Sequence, residues 1–302
     1  VNSGVVTVTA SIQFNNFFAG VLGRPQGGVS ATASAGCFPP CGGTGVLPIA
    51  WSCRPPVGGF GDSFDCAVAY GDGIPPDPIY IIMDSQNLNQ DFYCQDPPNS
   101  GTPPGSLDCD LNNDGVDEIV AGGNRSWLDL DGGGGGASSL NNWIRNGFSG
   151  DLNFPVWVAG QTGVANSVFT TVETYQEGNT VLIPVFDRYC EGRPDIVGTA
   201  CPGQWNGNYP NGDPSPGDSI IPTGGTWTSY FRLVSFSLFH ITCVNNTGGD
   251  HCPGHDQMVS ALGISHSTKT IEGYFVQGFD PDTHGGDCGG LDVGVYTLYL
   301  TR

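Results

Sequence analysis

The chain has 302 residues, with 29 acidic side chains against 9 basic ones and a formal charge of −20, a balance that excludes nucleic acid and anionic membrane as ordinary partners. Its 38% apolar and 11% aromatic content belongs to a protein with a real core, not to a disordered segment. With 48 glycines and 23 prolines, breakers come too often for long helices, and short strands joined by many turns are expected.

The first segment, "VVTVTASIQF" (5–14), alternates. Val6, Val8, Ala10, Ile12 and Phe14 share one side, and Val5, Thr7, Thr9, Ser11 and Gln13 the other. That pattern predicts a half-buried strand. "GVSATASAG" (28–36) is a second strand built of small residues. Between 37 and 65 the chain is loop-rich, with a short strand at "GVLPIAW" (45–51). Strands follow at "DCAVAY" (65–70) and "PIYIIMD" (78–84), the second fully buried, and residues 85–117 are polar and turn-rich.

Past residue 131 the texture changes. "DGGGGGASSLNNWIRNGFSG" (131–150) leads from a glycine run into a short helix whose Leu140, Trp143, Ile144 and Phe148 fall on one face. Gly147 or Gly150 is placed to stop it. "ANSVFTTVETY" (165–175) reads as a second helix capped by Asn166 or Ser167. Four strong strands complete the chain: 180–187, 229–244, 269–279 and 291–302. The second is apolar on both faces and is expected to be central, while Pro184 in the first implies an edge or a bulge. The fold class that follows is α+β and β-rich: an antiparallel sheet with a few short helices and long disulfide-bonded loops. The organisation reads as a loop-rich N-terminal region (1–125) and a C-terminal α+β domain (126–302), or as one continuous domain.

"DCDLNNDGVDEIV" (108–120) is the strongest candidate site. Asp110, Asn112, Asp114 and Glu118 stand at positions 1, 3, 5 and 9 of a calcium-type loop, with Gly115 at the sharp bend and the Val116 carbonyl at position 7. Hard oxygen donors at that spacing suit Ca²⁺ as a structural ion. Position 12 holds Ala121 in place of the expected Glu, so Asp108, Asp117, Asp129 or Asp131 would complete the shell. The competing reading is an acidic surface turn.

Eleven cysteines lie mostly in Gly/Pro/Asp-rich loops, which points to disulfides and an oxidising compartment. Spacing suggests Cys94–Cys109, Cys190–Cys201 and Cys243–Cys252, with Cys37, Cys41, Cys53 and Cys66 pairing among themselves in an unspecified order. Cys288 is left over. "HCPGHD" (251–256) matches no strong zinc spacing, and its histidines read as loop residues. Asn124-Arg-Ser126 and Asn245-Asn-Thr247 match the glycosylation pattern. No nucleophile elbow or phosphate loop is present, so no enzymatic activity is expected. No apolar run approaches the about 20 residues of a membrane-spanning helix. Val1 reads as a processed start, with an export signal upstream.

The stretch "WLDLDGGGGGASSLNNWIRNGFSG" (127–150), followed by "VLIPVFD", "SFSLFHITCV", "KTIEGYFVQGF" and "GVYTLYLTR", resembles the extracellular part of TadE/TadG-like pilus-assembly proteins of the Chloroflexi type. The opening "VVTVTASIQFNNFFAGVLG…VSATASA" (5–35) is similar to the segment just beyond the membrane anchor in such proteins. The resemblance implies an envelope or surface structural role without reaction chemistry. The expected function is therefore an exported structural subunit of a cell-surface or extracellular filament, whose partners are copies of itself. Val6, Val8, Ile12, Phe14, Phe17 and Phe18 would be its assembly residues, with strand 5–14 donated to a neighbour or else paired within its own chain. The alternative is a monomeric adhesion or glycan-binding module, in which some of Trp51, Trp127, Trp143, Trp157, Trp205 and Trp227 serve as stacking platforms and "CPGQWNGNYPNGD" (201–213) is the binding loop.

Overall fold

The computed structural model describes residues 5–15, 26–52, 71, 73, 79–85, 92–93, 119–121, 126–134, 136–161, 166–190, 192–195, 219–221, 229–247, 252–262, 265–285 and 293–301. The longer elements run, in chain order, β1 (Val5–Asn15), β2 (Gln26–Phe38), β3 (Ile79–Asp84), α1 (Ala137–Asn146), β4 (Val156–Gly160), α2 (Asn166–Gln176), β5 (Thr180–Cys190), β6 (Tyr230–Asn245), α3 (Pro253–Leu262), β7 (Thr270–Val276), the two-residue β8 (Gly278–Phe279) and β9 (Val295–Thr301). The class is α+β and β-rich, with mostly antiparallel pairing and three helices among the described residues.

The apolar run that becomes β6 is the axis of the larger sheet. One of its edges pairs with β5, and the other pairs first with β4 and then with β7. A strand flanked on both edges and covered over most of both faces has little solvent side, and Thr242 is its one exposed residue; that is why its sequence shows little alternation. From β7 the sheet continues through β3 to the short strands Ile119–Ala121 and Phe92–Tyr93. Strands from either side of residue 125 therefore share one sheet. Phe239, Phe275, Tyr80 and Trp51 interlock through ring contacts at 4.9–5.7 Å, several of them edge-on, the geometry that ring quadrupoles favour. Across β5 and β6 the buried carboxylate of Asp187 accepts a 2.6 Å hydrogen bond from Arg232.

Pro184 is accommodated as its sequence context requires. The β5–β6 register shifts immediately after it, between Val185 and Phe186 and again between Phe186 and Arg188. α1 buries Leu140, Trp143 and Ile144, and Gly147 (φ 74°) ends it. Phe148 lies just past the helix and packs edge-on against Trp143. α2 lies against β6, and α1 lies against α2. α3 spans part of a segment that the sequence presents as a histidine loop. The segment 45–51 forms isolated bridges to Phe148, Leu182 and Trp127 before the short strand Trp51–Ser52, where a continuous strand is expected.

A smaller sheet has the order β1–β2–β9–β8. β1 and β2 form an antiparallel hairpin paired without a break from Val5↔Gly36 to Asn15↔Gln26. β9 pairs with β2 only at its base, from Thr301↔Ser34 to Thr297↔Phe38.

The close approach of β7 to β6 generates a prediction. A Cβ at Gly273 would sit 1.9 Å from the His240 carbonyl oxygen, so Gly273→Ala must push two central strands apart. We expect a loss of roughly 2–3 kcal/mol in urea unfolding. Gly28→Ala is the control: its Cβ would meet nothing nearer than 3.8 Å, and a change of no more than about 1 kcal/mol is expected.

Candidate functional site

The β1–β2 hairpin has two chemically distinct faces. Directly paired residues share a face, so the register lines up Val6 with Ala35, Val8 with Ala33, Ala10 with Ala31, Ile12 with Val29 and Phe14 with Gly27. That face is wholly apolar. The opposite face pairs Thr7 with Ser34, Thr9 with Thr32 and Ser11 with Ser30. Its hydroxyls bond across the strands, Thr7 Oγ1 to Ser34 Oγ at 2.7 Å and Thr9 Oγ1 to Thr32 Oγ1 at 3.1 Å. No charged residue occurs in either strand.

The strand at 5–15 is thus as the alternation predicts, but its burial is not. Val6 is 65% exposed, Val8 61%, Ile12 70%, Phe14 46% and Val29 62%. The period-2 pattern predicts a face packed on a core; among the described residues nothing covers it. β1 pairs along its full length with β2, so of the two pairings expected for this strand the structure shows the intrachain one. Phe17 and Phe18 lie outside the described residues.

The apolar face extends toward the body. Phe279 pairs with Tyr296, and two positions further along β9 the chain pairs with Cys37. By register, Phe279, Cys37, Ala35 and Val6 stand on one side of the sheet. Phe279 is 52% exposed. On the other side of β9, Val295 and Thr297 are buried, so the apolar face of the hairpin is the one turned away from the core.

Cys37 is an exposed free thiol, a correction to the expectation that it pairs with Cys41, Cys53 or Cys66. It sits on a strand at the hairpin base, not in a loop. Cys41 and Cys190 are disulfide-bonded, as expected, and Cys243–Cys252 is the pair that the spacing suggests. Cys53, Cys66, Cys94, Cys109, Cys201 and Cys288 lie outside the described residues.

The calcium-type loop Asp110, Asn112, Asp114, Val116 and Glu118 also lies outside the described residues. Two of the carboxylates named to complete its shell are described. Asp129, at the end of the short strand Leu128–Asp129, is fully buried, and its Oδ2 accepts from the Gly134 N–H at 3.3 Å. Asp131 accepts from the Gly133 N–H at 2.7 Å. Burial, then the neighbouring Asp131 side chain, push the Asp129 carboxyl up to about 6, against the pull of the glycine N–H groups. Among the described residues no group of three or more His, Cys, Asp or Glu side chains is placed to hold a metal ion.

Of the six tryptophans, Trp51, Trp127, Trp143 and Trp157 are buried, so these four pack the core and offer no stacking surface. Trp205, Trp227 and the 201–213 loop lie outside the described residues. The sequon at Asn245 is fully buried, and its side-chain N–H donates to the Thr268 carbonyl at 2.9 Å; the folded chain presents no acceptor there. Among the described residues no helix is long and apolar enough to cross a membrane.

Sequence reasoning missed one polar centre. Glu272, on β7, is fully buried and accepts from the backbone N–H groups of Gly254 and His255, in the first turn of α3, and from Thr270 Oγ1. It caps the helix from a distant strand, satisfying donors that the helix cannot satisfy itself. The disulfide Cys243–Cys252 ties the residue preceding that helix to β6, and Cys243 is paired with Glu272 itself. Gly254 is required for the carboxylate's approach, since a Cβ there would lie 2.9 Å from Glu272 Oε2. His255, expected in a loop, is buried at the helix start, and its Nε2 has no hydrogen-bond partner. Cys252, three residues before it, is committed to a disulfide and is not free to bind a metal. The signals available in sequence were Pro253 at the first helical position and Asp256 in the first turn; the cap itself is non-local.

No family profile matches the chain, and neither a curated protein nor a solved structure matches it.

Burial pushes the Glu272 carboxyl up to about 7, the helix N–H groups pulling the other way. A group whose pKa is higher in the folded state than in the unfolded chain favours folding when protonated. Its contribution is complete below about 4.5, declines as pH rises, and is gone above about 7. Stability is therefore expected to fall across that window, by up to about 3 kcal/mol from this group. Glu272→Gln should flatten that part of the pH profile of chemical denaturation; an unchanged slope would show that Glu272 is ionised in both states.

Proposed function

We propose that this chain is an exported structural subunit that associates with copies of itself in a cell-surface or extracellular assembly. One observation carries the reading: a long, uncharged, apolar sheet face stands in solvent on a protein with a net charge of −20. Scattered exposed apolar side chains need no explanation, but a contiguous row of them marks an interaction surface. Five of the seven large apolar side chains exposed among the described residues belong to this one hairpin. The Cys243–Cys252 disulfide and the bonded Cys41 and Cys190 favour an oxidising compartment.

The test is direct. The chain, purified with its disulfides intact, is followed by sedimentation velocity from about 1 to 200 μM, the range of weak to moderate association, and imaged by electron microscopy. Growth of the sedimenting species with concentration, with ordered particles or filaments on the grid, is expected. A single monomeric species throughout would end the proposal.

Structural Ca²⁺ at Asp110, Asn112, Asp114, Val116 and Glu118 belongs to the same reading, as a brace for a loop-rich subunit. Thermal melting in excess Ca²⁺ is expected to rise over melting in chelator, by about 2.7 kcal/mol of stabilisation at a hundredfold excess over Kd. Asp114→Asn should abolish the difference. Identical melting with and without chelator would remove the ion from the account.

A further inference from the structure

We infer that the partner on the hairpin's apolar face is the same face of a second copy, packed face to face about a two-fold axis that runs along the strands. The inference rests on the proposed self-association and names its contact. Three observations select this occupant.

The first is shape. The face has a tall row on β1 (Val6, Val8, Ile12, Phe14) and, Val29 apart, a low row on β2 (Gly27, Ala31, Ala33, Ala35). A two-fold axis along the strands lays each β1 row over the other copy's β2 row. Phe14 then meets Gly27, Val8 meets Ala33, and Val6 meets Ala35, ridge into groove. Ile12 and Val29 of both copies form the single large cluster near the tip. Such an isologous contact is self-complementary by construction, and a foreign partner would have to reproduce the same relief.

The second is charge. Two copies at −20 each repel, and the repulsion is least at a contact that itself carries no charge. The hairpin supplies a charge-free strip eleven residue pairs long. A lipid surface would also accept an apolar ribbon, but an anionic one repels the rest of the molecule.

The third is area. Five large side chains on the hairpin face are about half to two-thirds exposed. At roughly 100 Å² each they offer about 500 Å², and the alanine row brings the face to the ~600 Å² per partner at the low end of specific interfaces. Beyond Ser34 the ribbon has only two strands, and a two-stranded ribbon alone is marginal in water. A second copy turns it into a small sandwich with its apolar residues inside.

The experiment compares the wild-type chain with Ile12→Lys, Val8→Lys and Thr9→Lys by sedimentation velocity. A parallel flotation assay uses phosphatidylcholine vesicles. Ile12 and Val8 are exposed in the single chain, so their substitution leaves the fold intact, as circular dichroism will register. Face-to-face packing requires that both apolar-face variants weaken association tenfold or more while Thr9→Lys, on the hydroxyl face, does not. It also requires that alkylation of Cys37, read by peptide mass mapping, slow as wild-type concentration rises. If wild type assembles and Ile12→Lys assembles equally well, self-association stands and this contact is wrong. Equal loss in all three variants points to edge-to-edge addition of β1 and likewise overturns it. A wild-type chain that stays monomeric but floats with vesicles assigns the face to lipid; one that stays monomeric and does not float removes both the contact and the self-association behind it.

Discussion

Everything that distinguishes this molecule's surface depends on how the hairpin is rooted. β9 pairs with β2 only from Ser34 to Phe38, and at that base one side of the sheet closes over the core. There Gly36, Val295 and Thr297 are buried. Because side chains alternate strictly along a strand, fixing which side faces the core at the base fixes which side faces outward along the whole ribbon. The base assigns the Ser/Thr side to the core direction and the Val/Ile/Phe side to solvent. A slip of one residue at Ser34–Phe38 would reverse the assignment over the full length of the hairpin.

The hydroxyl face fixes the register of β1 on β2, so that β1 follows the assignment made at the base. Thr7 with Ser34 and Thr9 with Thr32 each make a cross-strand hydrogen bond, a pairing that stabilises one register by some tenths of a kcal/mol per pair. Hydroxyl groups also keep their side of the ribbon soluble without adding charge. The two faces thus divide the work: one holds the register, and the other stays free of polar groups. That division explains why so uniform a pattern of Thr, Ser, Ala and Val occupies these strands when the rest of the chain is rich in Asp, Gly and Pro.

Much of this was legible in the residue order. The alternation at 5–14, the continuous apolar run at 229–244, the register shift beside Pro184 and the Cys243–Cys252 pair all follow from local chemistry. What local chemistry could not supply was direction. An alternating strand whose apolar side faces a core and one whose apolar side faces solvent have the same sequence, so the expected half-burial of β1 failed. The same limit hid the start of α3. A glycine in the first turn, Gly254, lowers helix propensity, and the carboxylate that compensates comes from Glu272 on another strand. Cys37 misled for a related reason: its neighbours in sequence are loop cysteines, whereas its neighbours in space are the strands of the hairpin.

The contrast between the two sheets carries the last step. In the larger one, β6 has partners on both edges and cover over most of both faces, and the burial of Phe231, Phe236, Phe239 and Ile241 is complete within a single chain. The smaller sheet ends in a ribbon with apolar residues of the same kind, including Val8 and Ile12, left uncovered. Each such side chain gains about 1.5–3 kcal/mol on full burial, so the ribbon holds an unsatisfied driving force of several kcal/mol at the one place where charge does not oppose contact. A chain that needed only to fold would place polar residues on that face, as it does on the other. On the proposed self-association the apolar choice is intelligible, because burial of that face is then completed by a second copy.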